Sequence, residues 1–293
     1  MNIQPGCRGC IEHQLNVLAV SIGRGDERRK GRVLEELKAL LAKVFDVASP
    51  PELAAMYYEI FERETGIRDP FVREKRLSTE LALRLLPELE ALVGSDEESF
   101  YRALVLAIGG NVIDYGATPD FELVEAEQKI RQVLDMPYDR KAAEDLRRRM
   151  DEAGSILYIL DNCGEAVIDR LLIERYKDKT TIGVRGRPII NDVTREDAVE
   201  SGLDFVPIVD TGDGSPGVSL RRSSSEFIRA LRTSDLIIAK GQGNFESLSD
   251  DFHDRPAYYL LRTKCEVVCQ RLDAPMNSLQ IIGRNLDAAP ILR

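Results

Sequence analysis

Ile156-Leu-Tyr-Ile-Leu160 runs directly into Asp161-Asn162-Cys163-Gly164-Glu165. Five consecutive apolar residues, stopped by a carboxylate, an amide and a glycine, read as a short strand covered on both faces, as in a parallel sheet. A helix is expected over 164–176. The same alternation continues downstream, with strands expected at 181–184, 205–209, 236–239 and 258–261 and helices at 194–201, 226–231 and 266–272. Alternation of this kind means βαβ units and a mainly parallel sheet. The Gly- and Ser-rich stretch 211–225 reads as a loop beside that sheet.

Upstream the periodicity is helical. Leu53, Met56, Tyr57, Ile60 and Phe61 fall on one helical face, and Ser49 with Glu52 makes a plausible helix start. Such stripes are read as core packing. The 81–92 segment repeats the pattern, with Pro87 expected to kink or end it. Ser95 and Glu98 resemble a capping box opening a helix to residue 108. Two more helices are expected at 122–134 and 140–150. The fold class is therefore α/β: a helical N-terminal domain over 1–152, joined to a Rossmann-like three-layer α/β domain over 153–293 with a mainly parallel sheet.

The 293-residue chain is 43% hydrophobic, enough for a sizeable core. No apolar run reaches the ~18 residues of a membrane helix. The N-terminal stretch does not read as a secretion signal. A cytoplasmic protein is expected. A net charge of -10 disfavours general nucleic-acid binding. Five cysteines, Cys7, Cys10, Cys163, Cys265 and Cys269, with no export signal suggest reduced thiols. Cys7 and Cys10 could form half of a zinc site with Cys265 and Cys269, although the second pair has helical spacing and Cys269 reads equally well as a buried thiol.

In an open parallel sheet, ligands bind beyond the carboxyl ends of the strands. Asp161 and Asn162 follow the first strand and suit a hard divalent cation, or else cap the next helix. After the second strand, Asp192 offers a further carboxylate, or an Asx turn before a helix capped by Thr194; Arg185 could meet an anion. Lys240-Gly-Gln-Gly-Asn244 follows the fourth strand and combines a cation with glycines that let backbone N–H groups approach an anion. Lys264 follows the fifth, as a substrate cation or a surface ion-pair partner. A metal flanked by cations is what phosphoryl transfer requires. His13 and His253 read as structural or exposed, so proton transfer or nucleophilic attack would fall to Asp161 and Asp192 or to metal-held water.

These stretches, together with Gly110-Asn-Val-Ile-Asp-Tyr-Gly116 and Arg262-Thr-Lys-Cys265, occur in the order found in the damage-control phosphatases, and the sequence resembles that family over most of its length. The resemblance implies a divalent metal (Mg, Mn, Co or Ni) held by Asp161, Asn162 and Asp192. It implies that the 240–244 loop (Lys240, Gly241, Gln242, Gly243, Asn244) and Lys264 hold the phosphate of a small-molecule ester, such as a phosphosugar or damaged phosphometabolite. Asn111 and Asp114 match a family motif, which implies that the helical part closes over the site. Cys7, Cys10 and Cys265 resemble its cysteine-bearing microbial branch. The competing readings are a non-catalytic sugar-phosphate or nucleotide binding protein and a Rossmann-type methyltransferase. The methyltransferase would usually want a glycine-rich turn where Asp161-Asn162 stand.

Overall fold

A computed structural model describes residues 1–110 and 123–288. The helices are α1 (Arg8–Gly23), α2 (Glu27–Val44), α3 (Pro50–Thr65), α4 (Val72–Val93), α5 (Ser99–Gly109), α6 (Leu123–Leu134) and α7 (Arg140–Glu152), then α8 (Glu165–Ile173), α9 (Arg195–Glu200), α10 (Ser225–Thr233), α11 (Gly241–Leu248) and α12 (Glu266–Leu272). The strands are β1 (Ile156–Ile159), β2 (Thr180–Val184), β3 (Ile208–Asp210), β4 (Leu236–Lys240), β5 (Ala257–Arg262) and β6 (Leu279–Arg284). They form one sheet in the order β3-β2-β1-β4-β5-β6. All pairs are parallel except β5 with β6.

The apolar run of β1 is buried at every residue. Ile156 and Tyr158 join a core on one face, packed with residues of α5, α7 and α8. Leu157 and Ile159 join a second core on the other, packed with residues of α10, α11 and α12. That alternation is the period-2 geometry of a strand sandwiched between helical layers. α5 and α7 come from the 1–152 stretch, yet they share the core of the sheet. A separate cluster joins α1, α2 and α3.

α3 begins as expected, with Ser49 and Glu52 forming a reciprocal capping box. Three expectations are corrected, and one strand was not foreseen. α4 does not end at Pro87 but runs to Val93, with Pro87 exposed and Leu81, Ala82, Leu85, Leu86 and Leu89 burying the opposite face. No Ser95 capping box forms; α5 starts at Ser99, and the Asp96 carboxylate accepts from the Glu98 N–H at 3.0 Å. β3 lies at Ile208–Asp210, later than 205–209, with Phe205 exposed. The antiparallel edge strand β6 was not anticipated.

Two devices place α3 over the carboxyl ends of the strands. The Glu52 carboxylate accepts from Ser219 Oγ at 2.7 Å and from Arg221 Nη2 at 2.8 Å, tying the start of α3 to the 211–225 loop. Glu59 and Glu62, further along the same helix, pair with Arg222 and Arg187.

Candidate active site

The sheet order reverses between β1 and β4, and the two strand ends meet there. Gly241 has φ +78°, and a Cβ at that position would overlap the Asp161 carboxylate. Only glycine satisfies both conditions, so α11 begins directly against the residue that ends the first strand. The glycines of the 240–244 segment thus lie within the first turn of a helix, whose N-terminal N–H groups favour negative charge.

Asp192 reaches the same place through backbone hydrogen bonds. Cys163 N donates to Asn191 O, and Val193 N donates to Asp161 O, both at 2.9 Å. Asn162 and Asp192 form an isolated antiparallel bridge. The Asn162 amide nitrogen donates to Asp161 Oδ2 at 2.7 Å and to Glu165 Oε2 at 3.3 Å. Asp161, Asn162, Glu165 and Asp192 consequently converge at the floor of a cavity of about 880 Å³. Burial, then the Glu165 and Asp192 carboxylates, push the Asp161 carboxyl well above its ordinary range, against the pull of Arg185 and Lys264. Burial likewise raises Asp192, opposed by Arg185.

Three expected substrate contacts are corrected. Lys240 is fully buried and does not line the cavity. Its ammonium donates to Ala107 O (2.7 Å), Glu165 Oε1 (2.6 Å) and Asp169 Oδ1 (2.7 Å), which uses all three protons. Asp169 Oδ1 also accepts from Tyr158 Oη at 2.8 Å. Burial alone would lower the Lys240 pKa, but Asp169 and Glu165 raise it above that of an ordinary lysine. This lysine fixes Glu165 and welds β4 to α5 and α8; it does not grip a ligand. Asn244 is also fully buried, and its amide nitrogen donates to Leu160 O (3.2 Å) and Lys240 O (2.7 Å), clamping β1 to β4. Arg185 is 1% exposed and spans the two aspartates, with Nε on Asp192 Oδ2 at 2.7 Å and Nη2 3.9 Å from Asp161 Oδ1. It is a buried counter-charge for carboxylates, and neither terminal nitrogen makes a hydrogen bond.

Gly241, Gln242, Gly243 and Lys264 do line the cavity. Lys264 is exposed and favours the ionised form of Asp161. Its backbone N–H donates to Gln242 Oε1 at 3.3 Å, joining the β5 end to the first turn of α11. A Cβ on Gly243 would overlap the Pro216 carbonyl, so the 211–225 loop packs directly on α11. Asn111 and Asp114 lie outside the described residues; Gly110, just before them, abuts Ile168 and Glu165.

Glu165 carried no assigned role in the sequence, although it stands inside the strand-end motif. The cavity wall was missed altogether. Tyr57, Tyr58 and Phe61 of α3 and Phe71 beyond it border the cavity. Burial and Asp192 push the Tyr58 phenol up to about 12. His13 is exposed at the cavity edge, and His253 is exposed elsewhere. The five cysteines are unpaired, and among the described residues no three His, Cys, Asp or Glu side chains form a ready metal cluster, so the cysteine zinc site that the sequence left open as one alternative does not assemble.

Residues 3–279 match the damage-control phosphatase ARMT1-like domain. A Pyrococcus horikoshii protein named damage-control phosphatase is 34% identical, with 95% of this chain and 97% of that protein covered. An Archaeoglobus fulgidus protein of the same name is 32% identical over 92% of this chain and 95% of its own. An uncharacterised Methanocaldococcus jannaschii protein is 33% identical over 97% and 96%. The crystal structure of a DUF89 family protein from Pyrococcus horikoshii superimposes with a TM-score of 0.86 at 32% identity, covering 97% of this chain and 99% of that one.

Proposed function

The chain belongs to the damage-control phosphatase family, and from that premise we propose that it hydrolyses small phosphate monoesters with a divalent metal held by Asp161, Asn162 and Asp192. The observation that carries this reading is the meeting of Asp161, Asp192, Lys264 and the α11 N-terminus in one cavity at the β1/β4 reversal. A non-catalytic phosphate binder has no need of buried carboxylates beside its anion site, since they repel the ligand unless a cation intervenes.

The residues fit such a cation. Asp161 and Asp192 are oxygen donors, and the Asn162 nitrogen is turned to the carboxylates, leaving its carbonyl oxygen as the ligand-type atom. Burial first, and then the Glu165 and Asp192 carboxylates, raise the Asp161 pKa, and a cation between these carboxylates would oppose both effects. A bound divalent ion would polarise the phosphoryl group and activate water. The other groups act on position and charge. Lys264 and the N–H groups at the start of α11 receive the phosphate oxygens. Arg185 holds the two aspartates in register, and Lys240 holds Glu165. Asn111 and Asp114 belong to this proposal as residues that complete the substrate side.

Mg, Mn, Co and Ni are the candidate ions. Turnover of p-nitrophenyl phosphate should vanish after chelation and return with at least one of them. Activity unchanged in excess chelator, or no turnover of any ester with any of the four, would overturn this reading. No helix among the described residues is long and apolar enough to cross a membrane, and the expected substrate is a diffusible metabolite.

A further inference from the structure

The cavity has two ends of opposite character, and a phosphate needs only one. Beyond the carboxylates, one wall is a single face of α3, and α1 contributes His13, Gln14, Val17, Leu18 and Ser21. Pro50, Pro51, Ala54, Tyr57, Tyr58 and Phe61 lie at steps of one, three, three, one and three residues, one stripe of a helix aimed at the cavity. Resting on the phosphatase reading above, we propose that this face is a binding subsite for the alcohol portion of the substrate. It selects phosphate monoesters whose alcohol carries an extended or ring-bearing apolar part with one hydrogen-bond acceptor, over small polyhydroxylated sugars.

Three independent observations support this subsite. The cavity, about 880 Å³, lies in the upper part of the ~300–1,000 Å³ range of small-molecule sites. That is far more room than the phosphate end requires. The Tyr57 hydroxyl is buried, 2% exposed for the residue as a whole, and makes no hydrogen bond, yet Tyr57 borders the cavity. A buried phenol without a partner is costly, and a carbonyl, amide or ether oxygen of a bound ligand would relieve it. The wall is also continuous with the reacting end. The Tyr58 ring lies 6.1 Å from Phe61 and 6.3 Å from Phe71, while its phenol senses Asp192. On the opposite lip, Val17 of α1 is 55% exposed at the cavity mouth, an apolar side chain in position to cover a longer ligand. A sugar would need several convergent polar groups; the α3 face offers only phenols, and the polar groups of α1 in the lining are His13, Gln14 and Ser21.

The test is a series of n-alkyl phosphates from ethyl to hexyl, assayed with Mn²⁺ beside glycerol phosphate and glucose 6-phosphate. Binding of the matching alkylphosphonates is measured by calorimetry. KM and the phosphonate Kd should both fall about three- to four-fold per added methylene until the wall is covered. Ala54→Trp, which fills the stripe, should reduce the hexyl-over-ethyl preference at least ten-fold. Tyr57→Phe should weaken binding of an ester with an acceptor in its chain relative to its all-carbon analogue. If esters are hydrolysed but KM and Kd are flat along the series, the subsite is refuted and the phosphatase reading stands. If no ester is turned over but phosphonate affinity climbs with chain length and Ala54→Trp abolishes that climb, the subsite stands and hydrolysis fails.

Discussion

Lys240→Met removes a cation at the centre of the fold while keeping an unbranched side chain of similar length. Its ammonium has no exposure and three acceptors, two of them the buried carboxylates of Glu165 and Asp169. Breaking a buried ion pair by deleting one partner costs roughly 3–5 kcal/mol, because the remaining charge is stranded. Protonation limits that cost. Burial already pushes the Asp169 carboxyl up to about 6 even with Lys240 beside it, and loss of the lysine raises it further. A carboxyl whose folded-state pKa is raised binds its proton more tightly when folded. Its contribution therefore falls as pH rises from the ordinary value of 3.8 to the folded value. In the native protein this decline levels off above about pH 6; in the variant it continues upward, at most ~1.4 kcal/mol per pH unit. Guanidinium unfolding of both proteins at pH 6 and pH 8 should show about 3–5 kcal/mol of destabilisation at pH 8 and less at pH 6. A loss below about 1 kcal/mol at pH 8, accompanied by a raised KM, would mean that the ammonium serves the substrate and not the fold.

Lys264→Ala should do the reverse: kcat/KM falls about ten- to a hundred-fold, from roughly 1.5–3 kcal/mol of charge-assisted hydrogen bonding, with stability within about 0.5 kcal/mol of the native protein. Unchanged kinetics would reduce this lysine to a surface charge. Gly241→Ala puts a methyl group into the Asp161 carboxylate and strains a backbone at φ +78°; thermal unfolding and turnover should both suffer, by about 1–3 kcal/mol in stability. A fully active, equally stable Gly241→Ala protein would show that α11 does not press on Asp161.

The strand-end chemistry was legible because a fully buried parallel strand must be continuously apolar and must stop at its polar end. Ile156 to Leu160 followed by Asp161-Asn162 states both, and the same logic found the ends of β2, β4 and β5. What a cation at a strand end does was not legible. Lys240 and Lys264 occupy equivalent positions in the sequence, each just past or at the end of an apolar run. Only the tertiary fold brings Ala107 of α5 and Glu165 and Asp169 of α8 around the first, leaving the second at the cavity. Asn244 is similar: its amide nitrogen donates to two carbonyls from different strand ends. The α3 stripe was seen as a helical face and taken for core. Leu53 and Ile60 are indeed buried. Tyr57 and Phe61 are buried too but also border the cavity, together with Ala54 and Tyr58 on a stripe rotated by one residue, and hydrophobicity alone does not separate two adjacent apolar faces. β6 escaped because an edge strand, buried at Leu279 and Ile281 but only partly at the other positions and carrying Gly283, lacks the continuous apolar signal of a central one.

Charge at the site explains why two of the cations had to be buried. Among the described residues, Asp161, Glu165, Asp169 and Asp192 gather around the β1/β4 reversal, and Glu246 also lines the cavity. Lys240, Arg185 and Lys264 face them, Lys75 acts on Asp192, and Arg262 lines the cavity. The Asp161 and Asp192 carboxylates would repel the nearly two negative charges that a phosphate monoester carries near neutral pH. A divalent ion between them would turn that repulsion into attraction. Deleting Lys240 or Arg185 would deepen the negative charge without opening a substrate contact, whereas Lys264 alone of the three lines the cavity. The buried pair hold Glu165, Asp192 and Asp161 where a metal would need them, whereas Lys264 lines the cavity. On the proposed reading, affinity for the ester should therefore depend on the metal and on Lys264 together rather than on either alone.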